Sequence, residues 1–426
     1  MGERLDIIVF GATGVTGKYT LPYVYKFAKS AKGPMTWGIA GRSKQKLKDV
    51  LNETAKRIGV NDLNHIPIII ADVEDEDSIR RMTAQAKVVI NCCGPYQLYG
   101  EVVVKACVEN GTHHVDVSGE SQFIEGMQLK YHKEAEEKGV YIVSACGFDS
   151  VPSDLGTLFV EKHFEGTMNS VEVYLHCSQE GGFTPGPKTN YGTWASAVNA
   201  VGNYWSLFSL RKKLYPKSLP AIQPKLSLKY PIHKMGNKWA LPFPATDFDV
   251  VKRSQRYFYE NDEKRPIQVQ CYVLMDSFIT AMSCIFLGFF FLLLTQFKFG
   301  RYLLLTYPEF FSLGFFSRKD IPEDVLQRLH FSFTLHGKGW KEIITENKCK
   351  IPINKTVVGR VSAVNPGYGF TCLALTLCAI MILKEPKQLP VRGGVYTPAV
   401  AFSKTSFVEE LQRNGVTFEI ISNKED

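Results

Sequence analysis

Gly11, Gly14 and Gly17 stand in the run Gly11-Ala12-Thr13-Gly14-Val15-Thr16-Gly17, after the apolar stretch Asp6–Phe10 and at the opening of a helix-like stretch, Lys18–Lys29. A turn without Cβ atoms at the start of a helix lets backbone N–H groups close on an anion, and the chemistry this context serves is pyrophosphate binding. Further on the chain reads Ala40-Gly41-Arg42-Ser43-Lys44. An NAD-binding domain carries Asp or Glu at that point to bond the ribose 2′-hydroxyl. Here no carboxylate is offered, and a guanidinium beside a hydroxyl suits a 2′-phosphate. The pattern predicts NADP(H), with Arg42 and Ser43 as its readers. Thr13, Val15 and Thr16 complete the phosphate turn, and Asp72 and Val73 meet the adenine edge. Cys93, Gly94 and Pro95 bring backbone against the nicotinamide ribose, and Ser118 joins them from the next strand end.

Hydride transfer from such a cofactor needs a proton donor. The Tyr-x-x-x-Lys pair of short-chain dehydrogenases occurs twice, as Tyr25/Lys29 and Tyr230/Lys234, but the first falls on the helix after strand one and the second contains Pro231. Tyr96, on the turn after the fourth strand, is the leading candidate for a neutral acid, followed by Asp149 and Glu120. Thr193 and Ser196 could meet a substrate. Each of these also has a plain structural reading, as a satisfied hydrogen bond or a helix cap. Cys93 lacks a basic partner in its motif, so packing explains it better than nucleophilic chemistry. Ten cysteines without a CxxC pair or matching histidines signal neither a metal site nor a disulfide framework.

These residues need a parallel sheet to bring them together. Strand-like runs at Thr36–Ala40, Ile66–Ala71, Val88–Cys92, His114–Val117 and Val140–Ser144 alternate with helix-periodic segments such as Lys44–Arg57 and Gln122–Lys138. With right-handed crossovers this predicts a doubly wound α/β sheet in the order 3-2-1-4-5-6. Beyond it, Ser170–Cys177, Phe331–Leu335 and Val357–Ser362 suggest an antiparallel sheet. Gly367–Leu383 and Phe407–Arg413 then read as helices and Val416–Ile421 as a last strand.

Composition adds a regional signal. With 45% hydrophobic and 22% charged residues the chain is globular, and a mean hydropathy near zero excludes a polytopic membrane protein. The net charge of +8 is unevenly spread: residues 1–150 hold 18 Lys/Arg against 19 Asp/Glu, whereas residues 205–301 hold 15 against 6. That basic stretch contains Ser277–Phe297, 21 residues without a charge, and an aromatic-rich run follows to Phe316. A single span would split a domain across a membrane, and a core helix would want a polar face. A one-sided hairpin or interfacial helix pair over 277–316 keeps the fold intact and explains the basic flanks. No nucleic-acid motif accompanies the charge. The first strand starts within a few residues of Met1, so no targeting peptide is expected.

Six stretches together resemble the saccharopine dehydrogenase family, in its saccharopine dehydrogenase-like oxidoreductase branch, which is similar in turn to trans-acting enoyl reductases. They are Val9–Gly14, Ala40–Ser43, Asn91–Tyr96, Asp116–Glu120, Cys146–Asp154 and Gly393–Ala399, and they run almost end to end. The resemblance implies an NADP-binding Rossmann domain over 1–150, an α+β substrate and dimerisation domain over 151–365, and a return of 366–426, including the last helix and strand, to the first domain. It also implies a homodimer and a lipid-droplet or endoplasmic-reticulum surface as host, on its cytosolic face. Saccharopine would require inward-pointing arginines as carboxylate clamps, whereas Arg211, Arg253 and Arg256 fall in the basic, membrane-flanking region. The expected function is therefore an NADP(H)-dependent oxidoreductase for a lipid-like substrate. A catalytically silent NADPH-binding lipid-surface protein and a saccharopine-type amino-acid dehydrogenase remain as alternatives.

Overall fold

The computed structural model describes residues 3–30, 35–227, 229–243 and 246–425. Strand and helix alternate from the start: β1 (Leu5–Phe10), α1 (Val15–Ser30), β2 (Trp37–Gly41), α2 (Lys44–Ile58), β3 (Ile68–Ile70), α3 (Glu76–Thr83), β4 (Ala86–Asn91) and α4 (Tyr96–Asn110). Next come β5 (His113–Asp116), α5 (Ser121–Glu137), β6 (Tyr141–Val143), α6 (Ser150–Lys162), β7 (Thr167–Gln179), β8 (Thr189–Asn190), α7 (Tyr191–Gly202) and α8 (Ser206–Leu214). The middle of the chain forms β9 (His233–Met235), β10 (Lys238–Pro242), α9 (Thr246–Asp262), β11 (Gln268–Met275), α10 (Phe278–Thr295), α11 (Lys298–Thr306), α12 (Pro308–Phe311), β12 (Phe316–Ser317) and α13 (Glu323–Gln327). It closes with β13 (Leu329–Trp340), β14 (Lys355–Val364), α14 (Thr371–Lys384), β15 (Gly394–Tyr396), α15 (Pro398–Phe402), α16 (Phe407–Arg413) and β16 (Thr417–Glu425).

Two compact units share these elements. The first consists of Met1–Gly147, Ser206–Leu214 and Gly367–Glu410; the second takes Phe148–Trp205, Tyr215–Pro366 and Leu411–Asp426.

In the first unit seven parallel strands lie in the order β15-β6-β5-β4-β1-β2-β3. This is the predicted 3-2-1-4-5-6 with β15 added beyond β6, a three-residue strand too short to show a period. Val9 sits between Ile39 and Ile90, and the centre of β1 is fully buried, as a strand covered on both faces must be. Local chemistry sets the ends: Ser43 and Asp75 cap α2 and α3, and Gly59 and Gly111 stop α2 and α4 in the left-handed region. The apolar helix α14 packs on α1, β4 and β5, with Thr371 through Ile382 buried without a break.

In the second unit the sheet order is β16-β14-β13-β7-β11-β10-β9. Strands β7, β13 and β14 pair antiparallel, as expected from the sequence, and the sheet as a whole is mixed because β11, which that expectation did not include, pairs with β7 in parallel, with Tyr272 opposite Tyr174. Strand alternation fixes which face a residue takes but is blind to the direction of its neighbour. The last strand also departs from expectation. β16 does not return to the first unit but pairs antiparallel with β14, and Phe418 packs on Phe159 of α6. Buried Lys355 on β14 reinforces it with an ion pair to Glu425 at 2.9 Å.

The three arginines assigned to the membrane flank are corrected too. Arg211 forks onto buried Glu125 of α5 within the first unit, at 2.6 and 2.9 Å, a pairing that draws a guanidinium inward. Arg253 is buried, and Arg256 lies over the Tyr215 ring and bonds Glu260.

Candidate functional site

The glycine turn has the shape its composition requires. Gly11 has a φ of +76°, and a Cβ there would sit 3.0 Å from the Cys92 carbonyl carbon. A Cβ on Gly17 would strike the Gly11 carbonyl oxygen and lie 2.7 Å from the Ala12 Cα. These two glycines let α1 and the end of β4 close tightly around the turn, while Gly14 is exposed and its N–H donates to the Gly11 carbonyl at 2.9 Å. Thr13, Val15 and Thr16 are half-buried beside it. No acidic side chain occupies the first turn of α1, so its positive end is free of local neutralisation.

Three strand ends converge next to this turn. Cys93, after β4, lies within electrostatic range of Arg42 after β2 and Asp72 after β3: burial pushes its thiol up, Arg42 opposes that and Asp72 adds to it. Arg42 is exposed, and Ser43 serves as the α2 cap, accepting from the Lys46 N–H at 3.4 Å. Asp72 Oδ1 accepts from the Glu74 N–H at 3.2 Å, next to half-buried Val73. An open helix N-terminus, a glycine cradle that Cβ atoms would fill and an exposed guanidinium at the end of β2 fit a 2′-phosphorylated dinucleotide. When bound, NADPH would supply a hydride; the turn would hold its pyrophosphate and Arg42 with Ser43 its 2′-phosphate.

Beyond β4 and β5 the structure shows a buried polar network. Cys93 N–H donates to Asn91 Oδ1 at 3.0 Å, which shapes the loop carrying Gly94 and Pro95. Asp116, fully buried at the end of β5, accepts from the Ser118 N–H at 2.8 Å and from the Ser144 hydroxyl at 2.8 Å. Ser118 Oγ in turn accepts from the Glu120 N–H at 3.2 Å, so it caps its own loop. Burial is the main cause that pushes Asp116 up to about 7 and its neighbour His114 down to about 3. Neither Asp116 nor Asn91 is singled out by the sequence as a site residue. The signal was a carboxylate ending an otherwise apolar strand, where only an internal hydrogen-bond network makes burial tolerable.

The three candidate proton donors fare differently. The Tyr96 hydroxyl donates to the Asn91 carbonyl at 3.0 Å and its ring packs on Phe123; burial first, then Asp116, holds the phenol well above its usual range. Both carboxylate oxygens of buried Glu120 accept from the first amides of α4, Tyr96 at 2.9 Å and Gln97 at 2.8 Å. That is a cap on the helix's positive end. In the second unit Asp149 precedes α6 with φ +74° and ψ −65°, and makes no side-chain capping bond to that helix. Burial pushes it up to about 7. Thr193 is exposed on α7 and Ser196 half-buried. No group of three or more His, Cys, Asp or Glu side chains suited to a metal ion occurs among the described residues.

The second unit also carries the uncharged run. α10 is capped by Ser277, whose hydroxyl accepts from the Thr280 N–H at 3.0 Å, and only Ala281 and Thr295 of its 18 residues are buried. Phe286 is 64% and Phe289 62% exposed. Its first turn is tied down by Phe278 against Trp239 of β10, and its last turns by Phe291 and Leu294 against a cluster of Trp194, Val198 and Leu304. The Trp194 indole donates to the Leu304 carbonyl at 2.8 Å. Trp205, Phe299, Tyr302, Phe310 and Leu313 extend the exposed apolar surface.

The parallel sheet and its cradle define a Rossmann-type NADP(H)-binding protein with a mixed-sheet second domain. A family model for the saccharopine dehydrogenase NADP binding domain matches residues 7–143. The saccharopine dehydrogenase-like oxidoreductase of Homo sapiens is 38% identical, across 98% of this chain and 98% of its own. A lipid droplet localized protein of Caenorhabditis elegans is 34% identical, across 99% of each. A saccharopine dehydrogenase (L-Glu forming) from Saccharomyces cerevisiae superposes with a TM-score of 0.51 at 14% identity, covering 98% of this chain and 100% of that one, and so shares the fold. The chain belongs to the saccharopine dehydrogenase-like oxidoreductase family, and NADP(H) is its cofactor.

Proposed function

We propose that the protein is an NADPH-dependent reductase of a lipid-like acceptor, working at the cytosolic face of a lipid droplet or of the endoplasmic reticulum from which droplets bud. The observation that carries this reading is α10: a chain with an NADP cradle also presents a long apolar helix of which only Ala281 and Thr295 are buried. Both ends of α10 are tied to that same unit, which supports a helix lying in an interface with one side wetted by lipid, rather than a span. The name of the Caenorhabditis elegans relative points to the same host surface. Asp149 is the proton donor of this reading, because Tyr96 and Glu120 are committed to internal hydrogen bonds. A homodimer built through the second unit belongs to the proposal and is checked by light scattering.

The test is NADPH oxidation by the purified full chain with fractionated neutral and polar lipid extracts, comparing wild type with Asp149→Asn. Turnover that is lost in the variant while NADPH still binds supports the reductase. A second reading, a silent NADPH-binding protein coating lipid, is favoured by the same internal commitment of Tyr96 and Glu120. It predicts tight NADPH binding without turnover on any fraction.

A further inference from the structure

We infer that Asp149 and Asp247 act as one carboxyl pair that holds a shared proton. This rests on the reductase reading above for its use, but not for its existence.

The two residues come from different elements of the second unit. Asp149 stands just before α6 and Asp247 in the first turn of α9, and the two helices pack on one another. An Asp before a helix ordinarily caps it. Asp149 instead takes up a backbone conformation that residues with a Cβ rarely adopt, and its Oδ1 is sealed from solvent without a hydrogen-bond partner among the described residues. Asp247 is 2% exposed; its Oδ1 lies 3.4 Å from the Ser150 hydroxyl, and its Oδ2 is likewise sealed and without a partner among the described residues.

Each carboxyl therefore has an oxygen that neither solvent nor a described donor reaches. Two ionised carboxylates placed so would suffer loss of hydration and mutual repulsion together, and one shared proton relieves both. Among the described residues, Cys271 of β11 is a thiol that burial pushes up, and Asp249 on α9 adds a further negative charge. Burial, and then the charge of Asp149, holds Asp247 well above the carboxylate range, in the same direction as Asp149 itself. Asp149 is half-buried where Asp247 is sealed, so the proton leaves through Asp149.

When Asp149 gives up this proton its O–H bond breaks, leaving a carboxylate that recovers a proton from water, and a group that titrates near neutrality suits both halves of that cycle.

The experiment is an infrared titration of the full chain without NADPH, following the carbonyl stretch of protonated carboxyl groups from roughly pH 5 to pH 9. In wild type protonated-carboxyl absorbance should persist to near neutrality, and subtracting the double variant Asp149→Asn/Asp247→Asn, which keeps buried Asp116 and its own band near 7, should isolate the part that belongs to the pair. In Asp149→Asn the Asp247 band should vanish at least about one pH unit lower, because a neutral amide has replaced the like charge. Asp149→Ser removes the same charge and should give the same shift, which keeps the test decisive if one variant folds poorly. An Asp247 band that titrates unchanged in both variants overturns the pair, whether or not turnover is found. A displaced band with no turnover on any lipid fraction leaves the pair standing and removes the reductase reading instead.

Discussion

Two apolar helices of this chain meet opposite fates. Pro366–Lys384, which ends in α14, and α10 are both long and apolar enough to cross a membrane, yet 78% of the first is buried and only 11% of the second. What separates them is the partner each fold supplies. α14 is wedged against α1, β4 and β5, whereas α10 is held near its two ends, by Phe278 on Trp239 and by Phe291 on Trp194, with its middle turns uncovered. Apolar composition says that a helix must leave water; the neighbouring elements decide whether it does so into protein or into something else.

The contrast can be broken by matched substitutions. A carboxylate in the middle of α14, Leu375→Asp, should cost about 5 kcal/mol or more and remove soluble, cooperatively melting protein, as seen by circular dichroism and expression. The same change in α10, Phe286→Asp, should leave the melting temperature nearly where it was. Combined as Phe286→Asp/Phe289→Asp it should lower co-flotation with triacylglycerol droplets at least about tenfold, since each exposed Phe would forfeit about 1.5–3 kcal/mol of transfer into lipid. Undiminished flotation would mean that α10 is not the contact.

Glycines sharpen the same difference at a smaller scale. Gly17→Ala forces a Cβ into the Gly11 carbonyl and should weaken NADPH binding by about 1–3 kcal/mol, measured by calorimetry. Arg42→Ala should cost about 10–100-fold in NADPH affinity and leave NADH unchanged, the loss of charge-assisted bonds to one phosphate. In α10, Gly288→Ala meets nothing within 4 Å and should raise stability slightly, by about 0.5–1 kcal/mol. The least effect of all belongs to the uncovered helix.

The first unit was the more legible. Most of its strand runs have a glycine, Asp or Asn at or just past the end, and the parallel order follows from crossover handedness, so the Gly11–Gly17 turn, Arg42 and the end of β4 are legible in the sequence. What the sequence hid there was whether Tyr96 and Glu120 point out or in. Only the packed neighbours Phe123 and Asn91, and the α4 amides, answer that. In the second unit the parallel pairing of β7 with β11 and the place of β16 depend on contacts between distant segments, to which periodicity is blind. Asp247 carried no motif at all. It matters only because α9 packs on α6, the helix that Asp149 precedes.

The short helix α8, clamped by Arg211 on Glu125, is a piece of the first unit supplied from the midst of the second. Together with Gly367–Glu410 it makes the chain change units five times. Neither half is thus a contiguous stretch that a gene truncation could deliver. A single proteolytic nick at any one crossing leaves four covalent tethers intact, so the cofactor-binding unit and the unit that carries α10 stand or fall as one product of synthesis.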